Sequence, residues 1–207
     1  MRVGVLASGT GTNLQALLDR VHGRDGIRVV AVGSDKPGAR ALARAEAAGV
    51  ASRTFPSSGF VDRAQRDATI ADWFADRGAE LVVLAGYMRL LSPGFLARFP
   101  LRVINVHPAL LPAFPGLRAI PQALAYGVKV FGVTIHFVDE GVDSGPVILQ
   151  RALELPDATD PVAVHAALQP IEHELLCEAV RLIARGAVSL DPANPRRVVV
   201  AGYRLAR

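Results

Sequence analysis

The chain has few of the residues on which several classes of protein depend. Its 207 residues include a single cysteine, Cys177, so no disulfide can form within the chain. Its five histidines are scattered, without the spacing of a zinc site. We therefore expect neither a disulfide framework nor a metal centre, and we interpret Cys177 as a buried helix residue.

Long apolar runs and dense basic runs are also missing. No stretch is long and apolar enough to cross a bilayer, and the N-terminus lacks the features of a signal peptide. The 23 basic and 19 acidic residues leave a net charge of only +4, with no basic run interleaved with aromatics. We expect a cytoplasmic protein that binds small anionic ligands and neither membranes nor nucleic acid.

Apolar content and its periodicity indicate the fold class. With 51% apolar residues the chain can bury a full core as one domain over residues 1–207, ending in a C-terminal extension from about residue 186. Strand-like runs alternate with helical patterns, which predicts a Rossmann-like, mostly parallel α/β sheet flanked by helices. Ligands bind such sheets beyond the carboxyl ends of the strands.

The later part of the chain departs from this alternation. The predicted strands 132–138 and 147–153 are joined by a loop too short for a helical crossover, so we expect them to pair antiparallel. Pro170 should kink or split the last helix, 161–185. The other predicted strands are 3–7, 28–34, 81–85 and 103–106, with weak strands near 188 and 198–201, and the other predicted helices are 13–21, 39–48, 60–77 and 121–126.

The stretch RVGVLASGTGTNLQALLD, residues 2–19, combines a strand, a loop of small residues and a helix. Glycine lets the backbone approach a ligand, and the unpaired N–H groups of a helix start favour an anion. We therefore predict a phosphate site in this loop.

Two other interpretations of this loop stay open at this point. Leu14 stands where the third glycine of the dinucleotide fingerprint would be, but Asp35 follows the second strand and could bond a ribose hydroxyl, as in a dehydrogenase. Alternatively, Thr12 or Asn13 caps the helix and the loop is only a tight turn.

The stretch RVINVHPALLPAFPGL, residues 102–117, places polar side chains at the end of a buried strand. Asn105 and His107 are two residues apart, so they share one face of the strand. An amide N–H and an imidazolium aimed at one point form an oxyanion site, whereas a neutral imidazole could accept a proton. We interpret this pair as catalytic.

The stretch VTIHFVDEGVDSGPVILQ, residues 133–150, carries three carboxylates in one loop. Asp139 and Glu140 are typical turn residues, but Asp143 precedes a rigid Ser-Gly-Pro and could face His107, which favours the charged imidazole. We interpret His136 as a packed or exposed strand residue rather than a catalytic one.

Four motifs carry a family resemblance. SGTGTNLQALL, LAGYMRLLSP, NVHPALLPAFPG and VDEGVDSGPVILQ are similar to those of the phosphoribosylglycinamide formyltransferase family, over residues 1 to about 185. The resemblance implies the formyltransferase fold. It implies transfer of the formyl group of 10-formyltetrahydrofolate, as co-substrate, to the amine of phosphoribosylglycinamide in purine biosynthesis, without a metal, by a monomer or homodimer.

The resemblance also implies roles for individual residues. It assigns Asn105, His107 and Asp143 to catalysis, Gly11, Thr12, Asn13 and Glu172 to phosphoribosylglycinamide, and Arg63, Met88, Arg89, Leu90, Leu91 and Asn105 to the folate. Ala109, Arg118 and Pro170 depart from the family pattern. The alternatives are a formyltransferase for another sugar-nucleotide amine and a non-catalytic nucleotide-binding α/β module.

Overall fold

A computed structural model describes residues 1–202 of the chain. The strands in chain order are β1 (Arg2–Leu6), β2 (Arg28–Ser34), β3 (Ala51–Thr54), β4 (Leu81–Leu84), β5 (Val103–His107), β6 (Val130–Phe137), β7 (Val147–Glu154), β8 (Val188–Asp191) and β9 (Asn194–Val200). The α-helices are α1 (Thr12–Arg20), α2 (Arg40–Ala47), α3 (Arg63–Ala75), α4 (Pro93–Arg98), α5 (Ala119–Tyr126) and α6 (Pro161–Ala184), with a 3₁₀ turn at Ser57–Gly59.

Within residues 1–202 the strands form one sheet in the order β3-β2-β1-β4-β5-β6-β7-β9-β8. The pairs from β3 to β5 are parallel, whereas β6 runs antiparallel to both β5 and β7. This confirms the mostly parallel α/β sheet and the antiparallel pairing of the predicted strands 132–138 and 147–153. The carboxyl ends of β1, β4 and β5 therefore meet at one edge.

Helices cover both faces of the sheet. Alternate residues of a strand point to opposite faces, and in β4 Leu81 and Val83 belong to one buried apolar cluster while Val82 and Leu84 belong to another. The first cluster contains residues of α1, α2, α5 and α6, and the second contains residues of α3 and α4. Burial on both faces explains why β4, LVVL, is apolar without alternation.

Of the two effects that the sequence predicted for Pro170, a kink or a split of the last helix, the split does not occur. The helix α6 runs without interruption from Pro161 to Ala184. Proline removes one backbone hydrogen bond, but buried residues on both sides of it, such as Leu168 and Leu175, pack the helix into the core. Cys177 is buried in this helix as expected, and burial raises the pKa of its thiol to about 11.

The region predicted as a C-terminal extension contains a hairpin. Strands β8 and β9 pair antiparallel, and β9 joins the main sheet where Arg197 pairs with Val147 of β7 in parallel register. The last five residues of the extension, 203–207, lie outside the described residues. In the described part of the chain, no helix has the length and apolar character needed to span a membrane.

Candidate active site

Asn105, His107 and Asp143 meet at the carboxyl edge of the sheet. Asn105 and His107 lie on β5, and Asp143 lies in the loop between β6 and β7. The Asn105 amide nitrogen donates to Oδ1 of Asp143 at 3.2 Å, and Nδ1 of His107 lies 3.3 Å from Oδ2 of Asp143. The structure thus assembles the three residues that the sequence predicted to act together.

Both ring nitrogens of His107 face acceptors. Beyond the carboxylate at Nδ1, its Nε2 atom lies 2.8 Å from the carbonyl oxygen of Phe114. A carbonyl oxygen only accepts, so Nε2 carries a proton. Nδ1 lies 3.3 Å from the Asp143 carboxylate, so a charged ring in this buried pocket would have an opposite charge beside it. A substrate oxygen therefore has to compete with the Phe114 carbonyl oxygen for the proton on Nε2.

Asp143 is held in a constrained backbone conformation. Its φ is +50°, in the left-handed region, and its Oδ2 atom accepts the backbone N–H of Gly116 at 2.7 Å. Burial by itself would raise the pKa of the Asp143 carboxyl, but the hydrogen bond to His136, the charge of His107 and the Gly116 N–H outweigh it and hold the pKa below its ordinary value. The carboxylate is therefore ionised at neutral pH.

His136 also lies beside Asn105 and Asp143, although the sequence pattern did not indicate a role for it in the site. In the antiparallel pairing of β5 with β6, His136 lies directly opposite Asn105. Its Nε2 atom is 3.2 Å from the Asn105 amide nitrogen and 3.5 Å from Oδ1 of Asp143, and its Nδ1 atom is 2.8 Å from the Phe137 carbonyl oxygen. The pairing of β5 with β6 is the signal that would have identified it.

A cavity of about 440 Å³ opens beside these residues. It is lined by residues 86–91, 105–108, 116–121 and 138–143, together with Leu84 and His136. Four of its apolar side chains, Met88, Leu90, Leu117 and Val142, are each at least half exposed. The segment Met88–Leu91 lines the cavity, and within it Leu91 is buried whereas Met88 and Leu90 are exposed. The cavity offers an apolar slot next to a polar, charged end.

The first loop provides a helix start without a side-chain cap. Gly11 is the N-cap of α1 in the left-handed region, with φ of +72°, and no side chain bonds the free N–H groups there. The interpretation of Thr12 or Asn13 as a helix cap is therefore wrong. A Cβ atom at Gly11 would lie 2.8 Å from the Cα atom of Ala41, so packing against α2 also requires glycine here.

Asn13 and Glu172 face each other across α1 and α6. The Asn13 amide nitrogen donates to Oε2 of Glu172 at 2.9 Å, and Gln169 donates to the Thr12 hydroxyl at 3.2 Å. Burial raises the pKa of Glu172 above its ordinary value, although Asn13, His165 and His107 act against this. The carbonyl oxygen of the Asn13 side chain is buried without a hydrogen-bond partner in the described residues. The four residues assigned to phosphoribosylglycinamide thus lie together.

Asp35 is already engaged, which counts against the dehydrogenase interpretation. Its carboxylate accepts the Ser8 hydroxyl at 2.6 Å and Nε of Arg89 at 2.9 Å, and its side chain is only 1% exposed. A carboxylate that binds a ribose hydroxyl must be accessible to it.

The formyl transferase family model matches residues 1–180 of the chain. A phosphoribosylglycinamide formyltransferase of Mycobacterium tuberculosis is 44% identical over 192 residues, which cover 91% of this chain and 87% of that protein. The chain belongs to the formyl transferase family.

A second relative and a solved structure agree with this membership. The trifunctional purine biosynthetic protein adenosine-3 of Drosophila melanogaster is 40% identical over 194 residues, which cover 92% of this chain and 14% of that larger protein. The crystal structure of glycinamide ribonucleotide transformylase 1 from Symbiobacterium toebii superposes with a TM-score of 0.92 at 45% identity, covering 97% of this chain and 93% of that one. The chain therefore has the formyltransferase fold.

One residue assigned to the folate lies apart from the cavity of this formyltransferase. Arg63 is the first residue of α3, is exposed, and is not among the residues that line the cavity.

Two of the residues that depart from the family pattern have clear surroundings. Ala109 is buried, and its carbonyl oxygen accepts the Thr134 hydroxyl. Arg118 lines the cavity at the start of α5. In residues 1–202, no group of three or more His, Cys, Asp or Glu side chains is arranged to hold a metal ion.

Proposed function

We propose that this formyltransferase moves the formyl group of 10-formyltetrahydrofolate to the amine of phosphoribosylglycinamide, giving the N-formyl product and tetrahydrofolate in purine biosynthesis. The observation that carries the proposal is the position of the cluster of Asn105, His107 and Asp143. It lies at the sheet edge, lines the apolar cavity, and is near enough to the Asn13–Glu172 pair for the charge of His107 to oppose the rise of the Glu172 pKa.

The ribonucleotide binds at the start of α1. The uncapped N–H groups after Gly11 and the helix dipole favour its phosphate, as at other helix N-termini. The buried Oδ1 atom of Asn13, which has no hydrogen-bond partner in the described residues, and the Glu172 carboxylate supply acceptors for ribose hydroxyls. The Glu172 carboxyl is also near enough to His107 to interact with its charge.

The formyl donor binds in the cavity. Its volume is within the usual range for small-molecule sites, and the exposed apolar side chains of Met88 and Leu117 suit a flat heteroaromatic ring. Leu90 and Leu91 complete the same wall, and Arg89 supplies a cation at its edge. We propose that Arg63, which does not line the cavity, binds the anionic end of the folate outside it.

The cluster supports direct transfer without a covalent enzyme intermediate. When bound, the folate supplies an activated formyl group, which the neutral amine of the ribonucleotide attacks. Asn105 and protonated His107 stabilise the oxyanion that develops, each such donor being worth about 3 kcal/mol. Asp143 lies beside His107 and organises the path of the amine proton to the folate nitrogen, whose bond to the formyl carbon breaks as tetrahydrofolate leaves.

Incubation with 10-formyltetrahydrofolate and a panel of amines tests the proposal. The panel contains phosphoribosylglycinamide, glycinamide, and a nucleotide that carries an amino sugar. We expect tetrahydrofolate to appear in equal amount with the N-formyl product only when phosphoribosylglycinamide is present, and not with a His107→Ala variant. Faster turnover of the amino-sugar nucleotide would assign the chain to a different formyltransferase, and no turnover of any amine would support a binding module.

A further inference from the structure

Three loops that follow neighbouring strands are joined by a network around Asp35. Ser8 follows β1, Asp35 follows β2 and Met88 follows β4, and these strands lie side by side in the order β2-β1-β4. The Ser8 hydroxyl donates to Oδ1 of Asp35 at 2.6 Å and accepts the backbone N–H of Met88 at 3.0 Å. Nε of Arg89 donates to Oδ2 of Asp35 at 2.9 Å. One carboxylate thus connects the ends of three strands.

The carboxylate of Asp35 holds its partners firmly because it is buried and charged. Burial alone would raise its pKa, but the hydrogen bonds from Ser8 and Arg89 and the charge of Arg89 outweigh this and place the pKa below its ordinary value. An ionised carboxylate that is 1% exposed is costly unless donors face it. The orientations of Ser8 and Arg89 are therefore constrained by Asp35.

Asp35 stands behind the cavity wall rather than in it. Met88 and Arg89 line the cavity, and the Arg89 side chain is 48% exposed, whereas Asp35 is not among the lining residues. We propose that Asp35 is a positioning residue for the formyl donor, because its carboxylate fixes the Arg89 guanidinium and, through Ser8, the backbone of Met88 in the cavity wall. The inference rests on the proposed function, since it takes the donor to occupy this cavity.

Asp35→Asn tests the inference because it keeps the size of the side chain and an acceptor for Ser8 while removing the charge that holds Arg89. We expect KM for 10-formyltetrahydrofolate to rise about tenfold, the effect of losing one charge-assisted hydrogen bond. KM for phosphoribosylglycinamide and kcat should stay within about twofold, because the network shares no hydrogen bond with Asn13, Glu172 or His107. A general loss of structure would change both KM values.

A control and further variants define how Asp35 acts. Asp72→Asn is the matched control, because it removes an exposed ion pair with Arg98 at 2.9 Å that does not line the cavity, and both KM values should stay unchanged. Arg89→Ala should raise the donor KM, and adding Asp35→Asn to it should raise that KM by no more than about a further twofold. If Asp35→Asn fails to fold, Ser8→Ala replaces it, since it removes the Met88 contact without a change of charge.

The same experiment separates the inference from the proposed function. Wild-type protein that transfers no formyl group would contradict the proposed function, and the equilibrium affinity of wild type and Asp35→Asn for tetrahydrofolate would then decide the inference. An unchanged donor KM in Asp35→Asn, an equal rise in both KM values, full additivity with Arg89→Ala, or a tetrahydrofolate affinity that Asp35→Asn leaves unchanged would each overturn it.

Discussion

The Nδ1 atom of His107 lies 3.3 Å from Oδ2 of Asp143, while the other nitrogen of the ring lies 2.8 Å from the carbonyl oxygen of Phe114. A carbonyl oxygen only accepts, so the nitrogen that faces Phe114 carries a proton, and the Asp143 carboxylate lies beside the other nitrogen. Oδ2 is itself fixed by the Gly116 N–H. The orientation of the His107 ring therefore depends on Asp143 and on the Phe114 carbonyl.

The first prediction concerns this dependence. His107→Ala and Asp143→Asn should each lower kcat by about 100-fold or more, which is typical of lost acid–base and oxyanion groups. The double variant should lose far less than the product of the two factors, because both residues act through one charge. Steady-state kinetics on the four proteins measures the coupling. If the loss of kcat in the double variant equals the product of the two single losses, Asp143 only shapes its loop.

The second prediction separates two glycines of the first loop. Gly11→Ala should destabilise the protein by about 2 kcal/mol and raise KM for the ribonucleotide, because φ is +72° and the new Cβ would lie 2.8 Å from Cα of Ala41. Gly9→Ala is the control, since its Cβ would have no neighbour within 4 Å. Urea denaturation should show a loss for Gly11→Ala alone, and equal midpoints for the two variants would contradict the packing argument.

The third prediction concerns the cost of burying Glu172. Burial raises the pKa of Glu172 in the folded state. At pH values between the unfolded and the folded pKa, the folded protein therefore keeps a proton on Glu172 that the unfolded chain has lost. Its contribution to stability is therefore full below the unfolded pKa, near 4.5, and is lost as pH rises through the higher folded value. Glu172→Gln should raise Tm at pH 7.5 by about 2–4 °C, have little effect near pH 4, and raise KM for the ribonucleotide.

Glu174→Gln is the matched control for that experiment. The Glu174 side chain is 59% exposed, and its pKa is lowered by the hydrogen bond to Arg151, so its charge favours the folded state slightly. The Tm of the Glu174→Gln variant at pH 7.5 should be equal to that of wild type or slightly lower. A Glu172→Gln variant with a lower Tm than wild type at pH 7.5 would show that the carboxylate stabilises the fold.

The fourth prediction concerns Tyr87 in the cavity wall. Its hydroxyl is buried without a hydrogen-bond partner in the described residues, and burial raises its pKa to about 12. Between pH 10 and pH 12 the unfolded chain releases a proton that the folded state keeps, so the free energy of unfolding falls as pH rises. Tyr87→Phe should lose no stability at pH 7.5 and show a smaller fall toward pH 11, measured by urea midpoints.

Tyr126→Phe serves as its control, because Tyr126 is 80% exposed. Its stability should follow that of wild type at every pH. A Tyr87→Phe variant that is clearly less stable at neutral pH would show that the hydroxyl has a partner in solution.

The regular elements of the fold were predictable where the sequence pattern was long. The strand 28–34 was predicted with the bounds that β2 has in the structure, because its apolar run is bounded by turn residues. Strand β3 was missed because it is a short edge strand with a half-buried pattern, and α4 was missed because it has six residues, although Ser92 caps it and Pro93 begins it.

The site was predictable where one strand places its residues. Asn105 and His107 share a face of β5 by their spacing alone, and the rigid Ser-Gly-Pro pointed to Asp143. The role of His136 depends on the register of β6 against β5, and the Phe114 carbonyl reaches His107 through a loop whose residues 114 and 118 have positive φ. Such contacts depend on tertiary packing, which periodicity does not encode.

Single-turnover formyl transfer by wild type and Asp143→Asn, at saturating 10-formyltetrahydrofolate and phosphoribosylglycinamide, tests the central claim most directly. It isolates the chemical step from binding, and the claim is that His107, held by Asp143, stabilises the transition state of that step. We expect the wild type to form the N-formyl product in one fast phase and Asp143→Asn to form it about 100-fold more slowly, with both KM values nearly unchanged. Equal single-turnover rates for the two proteins would contradict the account.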